Sequence, residues 1–188
     1  MNLSYRTLTR LIAASPLLLA WAGTPPAVNP DSAITSDFTK RVSDYQSLRK
    51  NSESKLPRLK TTGSSTVIDD HQHDLSRAIR QARKDAKQGD IFTPPICAEF
   101  KRLAGLAMQG GSAWRVTKSL ANAEPIKFKL KVNDAFPPGV PQQSMPPTLL
   151  QNLPPLPPEL QYRLLGSTLV LLDIKANLVV DLAPDVLP

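Results

Sequence analysis

The sequence predicts an α+β fold: three to four helices packed on a small, mainly antiparallel three- to four-stranded sheet, with Pro-rich extended connectors. Three observations carry that expectation. Apolar residues recur at helical spacing over residues 31–123, alternating or unbroken apolar runs bounded by turn residues fill residues 126–188, and the chain holds 19 prolines. That proline count is about twice the usual share, which implies long and partly extended connections.

Residues 1–22 read as a cleavable signal peptide. Arg6 and Arg10 give a positive start, residues 11–19 an apolar stretch broken by Pro16, and Ala20-Trp21-Ala22 a small-x-small site ahead of Gly23. The apolar stretch is shorter than the roughly 20 residues that span a hydrocarbon core, so no transmembrane anchor is expected in the mature form. The expected location is periplasmic or secreted, with cleavage near Ala22/Gly23. Residues 23–30 form a Pro-rich spacer, and residues 31–188 a single α+β domain, with helices in 31–123 and the β unit in 126–188.

Ile34, Phe38, Val42, Tyr45 and Leu48 fall on one helical face, with Asp31 or Ser32 as N-cap and Pro57 beyond the end. Lys40, Arg41, Arg49 and Lys50 ride the polar side. A polar loop over 59–66 leads to a second helix from Asp69 or Asp70 to about Gln88, stopped by Gly89. Its apolar stripe is Leu75, Ala78, Ile79, Ala82 and Ala86, and its basic surface is Arg77, Arg80, Arg83, Lys84 and Lys87. Thr93 and Pro94 suit the N-cap and first turn of a third helix to about Gln109, with Ile96, Phe100, Leu103, Ala104 and Ala107 inward. Residues 114–123 continue as a short helix.

The alternation of apolar residues and lysine in Ile126-Lys127-Phe128-Lys129-Leu130-Lys131-Val132 predicts a half-buried first strand. Residues 133–151, rich in proline, form an extended connector, and Pro154-Pro155-Leu156-Pro157-Pro158 a polyproline arm lying on its own domain. Residues 160–165 and 168–172 flank Gly166-Ser167 as a hairpin. Asp173-Ile174-Lys175-Ala176 turns the chain into a last strand over 177–182.

The segment LPPLPPELQYRLLGSTLVLLDIKANLVVDLAPDVLP, with VNDAFPP upstream and GDIFTPP before the third helix, resembles a family of exported bacterial proteins of uncharacterised function. The resemblance covers residues 132–188 best. It implies export and one α+β domain, and it carries no catalytic residue across.

Chemistry is sparse. Cys97 is the lone cysteine, which excludes an intramolecular disulfide and any C-x-x-C or zinc-ribbon site, and it is expected as a buried, inert thiol. Asp70, His73 and Asp74 are the metal-ligand candidates, but His71 and His73 point to opposite sides of a helix, so a solvated helix start is the expectation. No phosphate-binding loop follows Gly110-Gly111, and no G-x-S-x-G elbow occurs. Asp173, Asp181 and Glu159 are the carboxylates that could serve acid/base work, and their more ordinary task is capping turns and strand ends. No catalytic set and no cofactor is predicted.

The formal net charge is +7, of which Arg6 and Arg10 supply two; residues 23–131 hold 19 Lys/Arg against 11 Asp/Glu, and residues 132–188 hold 2 against 5. A basic helical half thus precedes an acidic β half. The function expected is a non-enzymatic envelope module that binds or assembles with a protein or an anionic cell-surface polymer, and not with nucleic acid. The alternatives are a small carboxylate-dependent hydrolase or lytic factor, and an inhibitor or chaperone-like module using the proline arm.

Overall fold

The C-terminal apolar runs form a three-stranded antiparallel sheet in the order β1-β2-β3: β1 is Leu160–Leu165, β2 Thr168–Asp173 and β3 Leu178–Ala183. The structure is a computed structural model that describes residues 30–108, 129–137 and 145–187. The leader 1–22, most of the spacer, the helix expected at 114–123 and residues 126–128 of the expected first strand lie outside the described residues. Leu165 pairs with Thr168 across Gly166-Ser167, and Gly166 takes a φ of +61°, as a two-residue hairpin turn requires.

Alternate side chains go to opposite faces of this sheet. Leu160, Tyr162, Leu164, Leu169, Leu171 and Leu178 join the main core with the helices, while Leu165, Val170, Leu172, Val179 and Leu182 form a second cluster with Phe136. Both faces of β2 are therefore buried, which is why its sequence is a continuous apolar run instead of an alternating one.

Among the described residues the helices are α1 Pro30–Glu53, α2 Ser65–Ala82, α3 Pro94–Ala107 and α4 Pro147–Asn152. With the sheet they make the α+β fold that the residue pattern predicts. α1 lies against both α2 and α3, and α4 against α3. Phe38 of α1 centres the core: its ring lies 5.2 Å from Phe100, 6.0 Å from Phe92 and 6.4 Å from Tyr162.

Several boundaries differ from expectation. Pro30 opens α1 instead of closing the spacer, in keeping with the preset φ that suits proline to a first turn. α2 starts at Ser65 and ends at Ala82, well short of Gly89, because Arg83 leaves the helix and sends its guanidinium to the Val180 carbonyl, 2.9 Å away. Arg83 and Arg49, read as solvated surface, are both buried, and Ala82 is exposed. Part of the expected connector is helix: Pro147 begins α4, which drives Leu149 into the core.

Residues 129–132 are not a strand. The chain turns at Asn133, whose φ is +70°, and only then reaches β3, where Val179 exchanges backbone bonds with Asn133 and Asp134 and Ala135 bridges Leu178. The Asp134 carboxylate accepts the Lys131 N–H at 2.7 Å and closes that turn.

Candidate functional site

Asp173 ends β2 and is fully buried. Its Oδ1 accepts the N–H groups of Lys175, at 3.1 Å, and Ala176, at 2.9 Å, which folds the chain into the turn before β3. Its Oδ2 accepts the Tyr45 hydroxyl at 2.9 Å and Arg49 Nε at 2.8 Å, both from α1. Arg49 also reaches Glu53 at 2.7 Å. Burial works against the Arg49 charge, but Asp173 and Glu53 outweigh it and raise the guanidinium above its ordinary range.

Asp181 owes its direction to a β-bulge. The register passes from Leu171 opposite Asp181 to Leu172 opposite Val179, leaving Val180 as the extra residue. In unbroken alternation Asp181 would share the face of Val179; the bulge turns it to the helix side. There it is fully buried, and it accepts N–H bonds from Gly89 at 3.0 Å, Ile91 at 2.7 Å, Phe92 at 2.8 Å and Leu182 at 2.8 Å. Gly89, with a φ of +94°, gives the loop the left-handed step that aims these donors.

A carboxylate offers about four lone-pair sites. Asp173 and Asp181 each accept four bonds from this chain, so neither has an oxygen left to take a proton from a substrate. Glu159 is half-buried, and its nearest cation is Lys175 at 4.0 Å. Its own carbonyl accepts the Ile174 N–H, so it sits at the same corner as Asp173.

The metal-ligand candidates do not converge. Asp70 and His73 are exposed, and Asp74 pairs with Arg77 at 3.2 Å. Among the described residues no group of three or more His, Cys, Asp or Glu is placed to hold a metal ion. Cys97 is half-buried instead of buried; its Sγ–H donates to the Phe92 carbonyl at 3.1 Å, and burial raises its pKa, which favours the unreactive thiol.

Sequence reasoning did not find the hollow beside the Asp173 turn. A groove of about 840 Å³ lies where the end of α1, the loop after it, the start of α2 and the β2–β3 turn meet. Leu56, Leu59, Ile68 and Ile174 supply apolar lining, and Lys50, Arg58 and Lys175 supply basic lining. Leu59, Ile68 and Ile174 are 43%, 45% and 41% exposed. The acid on this wall, Glu53, is engaged by Arg49. Three separate stretches of chain, 50–59, 68–75 and 174–175, build the groove, so no local motif announces it.

Comparison of the chain with protein-family models, with curated proteins and with solved structures gives no match. Among the described residues no helix is long and apolar enough to cross a membrane.

Proposed function

We propose that the chain is an exported, non-enzymatic binding module of the cell envelope, and that its partner is anionic. The observation that carries this reading is the basic, apolar-lined groove set against a turn whose carboxylate is wholly occupied. Export rests on the leader at residues 1–22 and on the resemblance of the C-terminal segment to exported bacterial proteins. The hydrolase alternative draws no support from Asp173 or Asp181, because both carboxylates are consumed in holding the fold. The inhibitor alternative draws none from the proline arm, where Tyr162 donates to the Pro154 carbonyl at 3.0 Å and Leu156 packs on the core.

The test is capture from envelope extract with the wild-type chain and with the Lys50→Glu/Arg58→Glu variant. Wild type is expected to retain carboxylate- or phosphate-bearing material that the variant loses. Equal retention by both would remove the groove from the reading.

A further inference from the structure

We infer that the groove binds the free carboxylate form of a long-chain fatty acid, with the alkyl chain on Leu59, Ile68 and Ile174 and the carboxylate at Lys50 and Arg58. The inference rests on the binding-module reading and names its ligand.

Size favours a small amphiphile over a macromolecule. A hollow of about 840 Å³ falls in the roughly 300–1,000 Å³ range of small-molecule sites. A protein partner needs about 800 Å² of surface on each side. The lining chemistry then selects within small ligands. Three large aliphatic side chains each remain more than a third exposed at one site, and covering them is favourable in proportion to the apolar area removed from water. An anion lacking a chain leaves them wet.

Charge selects the head group. Among the described residues no ion pair engages Lys50 or Arg58, and Lys175 has Glu159 only at 4.0 Å. Glu53, which would repel a carboxylate, shares the single Arg49 charge with Asp173, and Lys50, Arg58 and Lys175 outnumber it along the groove. The groove is therefore complementary to an apolar chain carrying one negative end, and a neutral chain leaves its cations unmatched.

One wall is fixed in advance. The Asp173 carboxylate holds the N–H groups of Lys175 and Ala176, and the Ile174 N–H is held by the Glu159 carbonyl. Ile174 and Lys175 are thus presented by a turn that need not reorganise on binding, which reduces the cost of ordering.

Isothermal titration of the purified protein with oleate, oleyl alcohol and polyglutamate, each below its aggregation limit, tests the inference. Oleate is expected to bind one-to-one, and oleyl alcohol and the Lys50→Glu/Arg58→Glu variant to bind at least about tenfold more weakly, as loss of a charge-assisted contact implies. Ile68→Asp/Ile174→Asp should lose binding, and Lys84→Glu, exposed and away from the groove, should keep it. All these positions are solvent-exposed, and unchanged melting by circular dichroism verifies that each variant folds. Equal binding of oleate and oleyl alcohol overturns the fatty-acid inference as mere apolar adsorption. Polyglutamate binding without oleate binding also overturns it, while leaving the anionic-partner reading standing. If neither anion binds and envelope capture is unchanged by Lys50→Glu/Arg58→Glu, both readings fall.

Discussion

Arg49 Nε donates to Asp173 Oδ2 across 2.8 Å and ties α1 to the end of β2 through two side chains that are 3% and 0% exposed. Removing one partner strands the other charge in a dry site, which costs about 3–5 kcal/mol. Arg49→Ala is expected to lower the unfolding free energy by that amount in urea titration. The Arg49→Ala/Asp173→Asn double variant should lose less than the two single losses combined, by at least about 0.5 kcal/mol, because the stranded charge is gone. Strict additivity would mean that the pair is solvated.

Asp181 serves the loop ahead of α3 in a different way, by gathering backbone donors. Without it the buried N–H groups of Ile91 and Phe92 and the half-buried one of Gly89 lose their acceptor, and an unpaired buried donor costs about 1–3 kcal/mol. Asp181→Ala is expected to destabilise by about 3 kcal/mol or more. Asp181→Asn keeps one accepting oxygen and should cost less, while the Ile91 and Phe92 amides exchange with solvent faster than in wild type. Unchanged exchange at both amides would show that something else holds the loop.

The parts that were legible in the sequence are those whose signal is local. Gly166-Ser167 between two apolar runs gave the hairpin, and the spacing of Phe38, Val42 and Tyr45 gave α1. The end of α2 was not legible, since Arg83 is a good helix former and leaves the helix for a carbonyl 97 residues away. Nor was the bulge, because Val179-Val180-Asp181-Leu182 contains no glycine to mark it. The turn-capping role of Asp173 was readable from its position, whereas Tyr45 and Arg49, 128 and 124 residues distant, were not readable as its partners. The groove is legible only in three dimensions for the same reason.

Alkaline pH should unfold the protein through Tyr45 and Tyr162. Burial raises both phenols far above the ordinary value of about 10, and the neighbouring Asp173 charge raises Tyr45 further. The folded state keeps these protons where the unfolded chain releases them. Their contribution to stability is therefore complete below about pH 10 and is lost as pH rises above it, at about 1.4 kcal/mol per pH unit for each tyrosine. Tyr45→Phe should make the decline about half as steep. Tyrosinate absorbance and far-ultraviolet ellipticity are expected to change together; absorbance rising near pH 10 with ellipticity intact would refute the mechanism.

Phe38 meets Phe92, Phe100 and Tyr162, so one ring joins α1 to the loop ahead of α3, to α3 itself and to β1. Phe38→Ala is expected to cost about 3–5 kcal/mol, the usual range for a buried ring, and Phe38→Leu considerably less because most of the volume is retained. The pattern of coupling is the more searching measurement. Phe92 packs its ring on Phe38 and gives its N–H to Asp181, so Phe38→Ala and Asp181→Asn share a partner and should be non-additive in a double-mutant cycle. The Arg49–Asp173 tie has no ring contact with Phe38, so Phe38→Ala and Arg49→Ala should add to within about 0.5 kcal/mol. The reverse result, coupling through Arg49 and additivity through Asp181, would mean that the aromatic cluster is held by α1 alone and not by the loop that Asp181 secures.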